Sequence, residues 1–368
     1  MYSFSGFKLA IVAAILVLAF FIGPYDVLSR PPTVTSPGRN TLLLPTVAII
    51  GTGGTALGKG NSQTDTSHYL SDAYNINDAV IPILPDLDGI AHVVTEQILS
   101  IDSIDIGTRQ LIIIRHTVMK YLRQQDISGV VLVLGSSKLT LVVRFSEHTI
   151  ALDDFNKSVC LTAALKPLSA HGAEGPGSIL SATRVSVASQ DNQILIIFND
   201  LITLARRSYK QNNVLFSGDR SLLGRIVDFG PEMIHRPSNS PKTFQFDEDQ
   251  VYNKTKTKSK YFPSTSEQSD FDIAVKDGVK GAVLGVFEDE YWPGPLMKGL
   301  GTLMNEPDVI VAAVSYGFSY NMRHRVDGVV PAGDWTDRDI MMLMPFLLAS
   351  NMSREEISDF IATPYNEI

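Results

Sequence analysis

The sequence predicts an α/β fold in which helices cover a mostly parallel sheet. Helical patterns alternate with strand-like segments, and such alternation indicates an α/β architecture. Segments without polar alternation are typical of strands that are buried on both faces, as in a parallel sheet between helices. Five segments are continuously apolar and rich in β-branched residues: Thr46–Ile50, Gly129–Leu134, Ile194–Phe198, Gly281–Phe287 and Val309–Ser315.

Two segments carry the clearest helical patterns. Thr108–Gln124 places four apolar residues on one face at helical spacing, namely Leu111, Ile114, Val118 and Leu122. Asp337–Ser350 is a second helix candidate. Ser353 and Glu356 then have the spacing of a capping box, which predicts a last helix near the end of the chain.

A break in composition divides the chain. Residues 237–270 are rich in Pro, Ser, Thr and Lys and have hardly any apolar periodicity, which favours an interdomain linker or an exposed loop. The sequence therefore predicts a larger domain over residues 45–236 and a smaller domain over residues 271–368.

The N-terminal residues are predicted to lie outside these domains. Lys8 precedes the uncharged segment Leu9–Tyr25, which is typical of a secretory signal peptide or a signal anchor within residues 1–30. Residues 31–44 have the composition of a linker. Three N-glycosylation sequons fit a secretory route, at Asn156, Asn253 and Asn351. We therefore expect a glycoprotein that is secreted or held outside the cell by an N-terminal membrane anchor.

Composition excludes several classes of protein. Of the 368 residues, 44% are hydrophobic and 19% are charged, which is enough to bury a core. The formal net charge of -8 argues against a nucleic-acid-binding protein, because such proteins need a basic face. The single cysteine, Cys160, excludes an internal disulfide, and the seven histidines have neither an HExxH motif nor i, i+4 pairs. We expect neither a metal nor a cofactor.

A glycine-rich loop follows the first predicted strand. Gly51-x-Gly53-x-x-Ala56 and Gly53-x4-Gly58-Lys59 partly match dinucleotide and P-loop motifs. Both motifs need a helix directly after the loop, but residues 61–68 are polar and have no apolar stripe. Another interpretation places the hydroxyls of Thr52-Gly53-Gly54-Thr55 at a strand end, where one of them could act as a nucleophile. A plain strand and turn remains the fourth interpretation.

Further motifs along the chain resemble the L-asparaginase family, the bacterial-type enzymes that hydrolyse the side-chain amide of asparagine and, less well, of glutamine. Tyr69 matches a tyrosine of the family's flexible lid, and Ser103 matches a serine that contacts the substrate's α-carboxylate. The segment before Ser136 is similar to the strand that leads into the family's second signature. Other matching positions are Leu161–Pro167, Ala173–Pro176, Asn199, Asp200, Arg206, Lys210, Phe216, Ser217, Leu223, Gly224 and Val330–Gly333.

The resemblance implies a larger N-terminal flavodoxin-like domain with a mostly parallel sheet, plus a smaller C-terminal α/β domain. It implies a homo-oligomer, dimer or tetramer, that acts on a small-molecule amide, L-asparagine or L-glutamine. Thr55 would be the nucleophile, Tyr69 would hydrogen-bond it, and Ser136 and Lys210 would belong to a second catalytic triad. The substrate-binding residues implied are Gly54, Ser103, Gly135 and Ser137.

The second signature departs from the family pattern. The family has Gly-Thr-Asp-Thr, whereas this chain has Gly135-Ser136-Ser137-Lys138, so Ser137 stands in place of the triad aspartate. A carboxylate that holds a substrate ammonium contributes about 1.5–3 kcal/mol. Its loss would cost roughly ten- to hundredfold in affinity. Two hypotheses therefore stay open: an amidohydrolase with a degenerate triad, and an inactive asparaginase-like protein with a binding or structural role.

Overall fold

The computed structural model describes residues 44–189, 192–204, 208–211, 214–217, 221–235, 239–287, 292–316, 326–333 and 335–367. The strands are β1 (Thr46–Gly53), β2 (Lys59–Gly60), β3 (Tyr69–Leu70), β4 (His92–Ile101), β5 (Ile127–Val133), β6 (Ser158–Thr162), β7 (Ile194–Phe198), β8 (Leu201–Thr203), β9 (Ser208–Gln211), β10 (Val214–Ser217), β11 (Leu222–Val227), β12 (Gly230–Met233), β13 (Asn239–Pro241), β14 (Ser259–Phe262), β15 (Gly281–Val286), β16 (Ile310–Ser315), β17 (Val329–Pro331) and β18 (Tyr365–Glu367). The α-helices are α1 (Ile76–Val80), α2 (Leu84–Leu87), α3 (Thr108–Leu122), α4 (Leu139–Thr149), α5 (Gly175–Ala188), α6 (Glu248–Tyr252), α7 (Gln268–Lys276), α8 (Gly294–Met304), α9 (Asp337–Leu348) and α10 (Arg354–Ala362).

The larger sheet has eight strands in the order β12-β11-β8-β7-β6-β5-β1-β4. The strands from β7 to β4 run parallel, and β8, β11 and β12 are added antiparallel at the other edge. Because β1 lies between β5 and β4, the carboxyl ends of these three strands meet at one edge of the sheet. Open α/β sheets bind their ligands at such an edge.

The smaller sheet has four parallel strands in the order β14-β15-β16-β17. Strand β15 is buried along its whole length, as a strand covered on both faces should be. The predicted fold class is confirmed: a large, mostly parallel sheet is accompanied by a separate, smaller α/β unit.

Apolar side chains cover both faces of the larger sheet. On one face, Leu111 of α3 and Phe145 of α4 belong to a cluster that also contains Val283 of β15 and Phe346 of α9. This cluster is therefore shared by the two sheets. On the other face, Val185 of α5 packs in a second cluster. The covered faces explain why the central strands have no polar alternation.

Two sequence predictions concern the later part of the chain. Residues 237–270, where we predicted a linker or loop, contain β13, α6 and β14, and β14 pairs in parallel with β15. The domain bounds at 45–236 and 271–368 stay predictions. The capping box is present, since Glu356 N donates to Ser353 Oγ over 3.2 Å and Ser353 N donates to a Glu356 carboxylate oxygen over 2.6 Å.

Candidate active site

The turn after β1 presents Thr55 at the carboxyl edge of the sheet. Gly53 and Gly54 have φ angles of 94° and 78°, which residues with a side chain rarely adopt. Thr52 points back into the sheet, where its Oγ1 donates to the Val133 carbonyl over 3.1 Å. The two threonines of the motif therefore differ: Thr52 fastens the strand, whereas Thr55 lies in the short 3-10 turn Thr55–Leu57.

Tyr69 reaches the side chain of Thr55. Thr55 Oγ1 and the Tyr69 hydroxyl oxygen lie 2.6 Å apart and share a hydrogen bond in which either can donate. Tyr69 is held there by the pairing of β3 with β2, in which it lies opposite Gly60. Thr55 is only 8% exposed, so little water can compete with Tyr69 for a hydrogen bond to the Thr55 hydroxyl.

The ends of β1, β5 and β4 come into direct contact. A Cβ on Gly54 would lie 2.5 Å from Gly135 N, and a Cβ on Gly135 would meet Ser103 Oγ. The absence of side chains at both glycines thus allows the turn after β5 and the turn after β4 to lie against the Thr55 turn. Ser103 and Ser136 are both buried, at 2% and 5% exposure.

Lys210 enters the same site from the β9–β10 hairpin. Its Nζ donates a hydrogen bond to Ser136 Oγ over 2.6 Å. Burial lowers the pKa of Lys210 below the usual lysine value, and the negative charge of Asp102 partly opposes this effect. The lysine therefore loses its proton more readily than a lysine in water, while keeping a hydroxyl within hydrogen-bond distance.

The departure from the family signature lies at the rim of this site. Ser137 is exposed, and its side chain is a neutral hydroxyl, so this position adds no carboxylate to the site. Lys138 Nζ donates to the Ile106 carbonyl over 2.7 Å, which ties the lysine to the chain after β4. The positive charge that the sequence adds beside Ser137 is therefore held by a carbonyl oxygen.

Glu174, the acid of another matching block, has a contact of its own. Its Oε1 accepts hydrogen bonds from Leu165 N and from Lys166 N, the latter over 3.2 Å. These bonds join the segment Leu161–Pro167 to the N-terminal end of α5. Glu174 thus supports the loops behind the Thr55 turn, where Gly175 packs against Ala56.

The structure brings together seven of the eight residues predicted for the site through direct contacts, and the eighth, Ser137, adjoins them in the chain. The bonded pairs are Thr55 with Tyr69 and Ser136 with Lys210, and the packed group is Gly54, Gly135 and Ser103. Sequence reasoning missed Asp102, the acid that acts on Lys210. Arg206, another position that matches the family, lies outside the described residues.

The described residues contain no group of three or more His, Cys, Asp and Glu side chains that could hold a metal ion. The site offers two hydrogen-bonded pairs, Thr55 with Tyr69 and Ser136 with Lys210, and the pKa of the lysine is lowered. Such an arrangement can activate a hydroxyl as a nucleophile and move a proton.

Comparison with known proteins finds similarity to asparaginases. The family model for asparaginase, N-terminal, matches residues 46–224. L-asparaginase 2 of Bacillus subtilis is 25% identical over 308 residues, which cover 81% of this chain and 78% of that protein. The resemblance to the asparaginase family is therefore confirmed.

Further proteins that are named as asparaginases match over shorter or similar lengths. The glutaminase-asparaginase of Acinetobacter glutaminasificans is 26% identical over 190 residues, which cover 50% of this chain and 56% of that protein. The crystal structure of a probable cytoplasmic L-asparaginase from Campylobacter jejuni superposes with a TM-score of 0.74 at 23% identity. The match covers 86% of this chain and 99% of that chain, so the two share their fold.

The expectation of a secreted or membrane-anchored extracellular protein is wrong. A protein of the same fold is described as a probable cytoplasmic L-asparaginase. Among the described residues, which exclude residues 1–43, no helix is both long and apolar enough to span a bilayer. The expectation depended on an apolar segment and on sequons, and about two sequons arise by chance in a chain of this length. Residues 1–30, predicted as a signal peptide or anchor, and residues 31–43 of the predicted linker lie outside the described residues.

Proposed function

We propose that this asparaginase-like protein hydrolyses the side-chain amide of L-asparagine, and more slowly that of L-glutamine, to the acid and ammonia. The observation that supports this proposal most directly is the pair of hydrogen bonds at adjacent strand ends. Thr55 is bonded to Tyr69 and Ser136 is bonded to Lys210, each over 2.6 Å. In this proposal the Thr55 hydroxyl is the nucleophile, and Ser136 with Lys210 accepts and returns the proton.

In the first step, Thr55 Oγ1 attacks the carbonyl carbon of the amide. The hydroxyl proton is relayed through the hydrogen-bonded side chains to the amide nitrogen, which leaves as ammonia. An ester between Thr55 and the substrate's acyl group remains. Tyr69 orients Thr55 through their shared bond and excludes water from it.

Backbone amides near Gly54 and Gly135 stabilise the oxyanion of this step. The two turns approach so closely that a Cβ on Gly54 would lie 2.5 Å from Gly135 N. Donors fixed in this way are oriented before charge develops, which is how oxyanion holes lower a barrier. The buried Ser103 hydroxyl, next to Gly135, binds the substrate's α-carboxylate.

In the second step, water attacks the ester. Ser136 accepts the water proton and passes its own proton to the neutral amine of Lys210, which lies 2.6 Å away. The ester C–O bond then breaks, and the proton on Lys210 returns through Ser136 to Thr55 Oγ1, so that the acid product leaves, Thr55 regains its hydroxyl and Lys210 becomes neutral again. The lowered pKa of Lys210 increases the neutral fraction that this step needs.

A second candidate is a protein that binds an amino acid or amide without hydrolysing it. The exposed Ser137 favours this candidate, because it provides no carboxylate at the position where the family holds the substrate's ammonium. Weak ground-state binding would then be expected together with no release of ammonia.

The test is ammonia release by the full chain from L-asparagine and from L-glutamine. Thr55→Ala should abolish turnover, whereas Thr55→Ser, which keeps a hydroxyl, should retain part of it. Turnover retained in Thr55→Ala would exclude Thr55 as the nucleophile. If the folded wild-type protein releases no ammonia from either amide, calorimetric titration with both compounds decides whether the second candidate holds.

We also propose a homo-oligomer, as the family resemblance implies. Support comes from apolar side chains exposed on or beside the edge hairpin of β11 and β12. Phe229 is 52% exposed and Ile234 is 54% exposed. Clustered exposed apolar side chains are typical of association surfaces. Light scattering during size exclusion should give a mass above 40.3 kDa, and a monomer would contradict the proposal.

A further inference from the structure

We propose that Asp102 supplies, from the neighbouring strand end, the carboxylate that the asparaginase family keeps at the position of Ser137, and that it acts on Lys210 as a positioning residue. This inference rests on the proposed function, which gives Lys210 its role in proton transfer. The measurement that tests it, a titration of Lys210, does not require turnover.

The first step of the argument is where Asp102 lies. It directly follows β4, whose last residue, Ile101, pairs with Gly53 at the end of β1. The next residue, Ser103, packs against Gly135. Gly135 directly precedes Ser136, which is hydrogen-bonded to Lys210. Asp102 is therefore attached to the turn that lies against the Ser136 turn, and its side chain is half-buried.

The second step is how the carboxylate is held. Asp102 Oδ1 accepts a hydrogen bond from Ile104 N over 3.1 Å, which fixes the side chain at the start of the turn Ser103–Asp105. Its charge raises the pKa of Lys210 against the stronger lowering by burial. A charge that acts on a partly buried ammonium is screened less than one at the surface.

The third step compares the other charged groups on the elements packed around Lys210. Lys138 is bonded to the Ile106 carbonyl, and Asp105 is exposed. Arg144 of α4 is paired with Asp339 over 3.5 Å. Tyr69 is bonded to Thr55. Of the two acids on the turn that packs against Gly135, Asp102 is half-buried and Asp105 is exposed, and it is the charge of Asp102 that raises the pKa of Lys210.

The consequence is that the carboxylate beside the lysine follows a different strand in this chain than in the family pattern. In the family pattern the acid follows β5, beside the hydroxyl that Lys210 contacts. In this chain the acid follows β4. The lysine keeps a counter-charge, but the crevice beside Ser137 loses its carboxylate, which separates support of Lys210 from binding of the substrate's ammonium.

The test is a titration of Lys210 in the full-length protein labelled with 13C at the lysine ε-carbon, with the resonance assigned through Lys210→Arg. Asp102→Asn keeps the acceptor for Ile104 N and removes only the charge, because Asn and Asp cap turns equally well. We expect the pKa of Lys210 to fall in Asp102→Asn, because the negative charge that raises it is removed. The matched control, Asp105→Asn, should leave it unchanged.

A pKa of Lys210 that is equal in wild type and Asp102→Asn, or that shifts equally in Asp105→Asn, would overturn the proposal. Where ammonia release is measurable, the alkaline rise of kcat should move to lower pH by the same amount in Asp102→Asn. If the wild-type protein releases no ammonia, the proposed function fails and the titration alone still decides the role of Asp102.

Discussion

Lys210 Nζ and Ser136 Oγ lie 2.6 Å apart although 74 positions separate the two residues in the chain. Ser136 follows a central strand of the larger sheet, and Lys210 lies in the separate β9–β10 hairpin. The contact therefore depends on the tertiary fold rather than on local structure. Because burial lowers the pKa of Lys210, the pair can exchange a proton closer to neutral pH than a lysine in water could.

Replacing Lys210 should affect turnover far more than folding. Lys210→Met removes the proton acceptor, and loss of general acid–base assistance typically costs about 10²- to 10⁴-fold in kcat. Its side chain is only partly buried, so the melting temperature should change little. Lys210→Arg should not restore turnover, because a guanidinium stays charged. A kcat equal to wild type in Lys210→Met, measured by ammonia release, would contradict the proton-transfer role.

Part of the fold could be predicted because burial on both faces leaves an uninterrupted apolar pattern. This holds for β1, β5, β7, β15 and β16. The same signal fails at β6, where Ser158 and Thr162 are buried and their hydroxyls donate to the carbonyls of Ser189 and Ile197. It also fails at β4, an edge strand of mixed exposure. Polar residues with buried partners and edge strands interrupt the apolar pattern.

The candidate site could be predicted from motifs that occur in order along the chain, but the carboxylate of Asp102 could not be predicted in this way. Thr55, Ser136 and Lys210 were placed by resemblance, and the fold brings Ser136 and Lys210 together. Asp102 gave no signal in the sequence, because it precedes a motif residue rather than occupying a motif position. Only the order of β5, β1 and β4 in the sheet places it near Lys210.

Restoring the family's acid should strengthen substrate binding. Ser137→Asp places a carboxylate at the exposed position next to Ser136, where it can hold the substrate's ammonium. A charge-assisted bond of about 1.5–3 kcal/mol predicts roughly ten- to hundredfold tighter binding. The measurement is the Kd for L-aspartate by calorimetry. Ser137→Asn is the control of equal size; an equal gain in both variants would show that charge is not the cause.

The contact between the turns after β1 and β5 should be visible in stability. Gly54→Ala adds a Cβ at a positive φ and 2.5 Å from Gly135 N, so the two turns must separate. Gly89→Ala is the matched control, since Gly89 has a φ of 85° but no atom within 4 Å of the added Cβ. Urea unfolding should show a loss of about 1–3 kcal/mol beyond the control for Gly54→Ala. Equal losses would mean that backbone conformation alone matters.

The last prediction concerns the stability of the fold in acid. His148 is fully buried in α4, and its Nδ1 donates to the Lys242 carbonyl over 2.7 Å. Burial, together with the charge of Arg144, lowers the pKa of His148 to about 3 from an ordinary value of 6.5. Between these two pH values the unfolded chain binds a proton that the folded chain does not. The free energy of unfolding is therefore highest above pH 6.5 and falls as the pH drops towards 3.

The slope of this fall can be up to about 1.4 kcal/mol per pH unit from His148 alone. Urea unfolding at pH 7, 6 and 5 should show a shallower fall in His148→Gln, which removes the titrating ring, although this variant is less stable at neutral pH. His171→Gln is the control for replacing an exposed histidine. The same slope in wild type and His148→Gln would mean that other groups cause the loss of stability in acid.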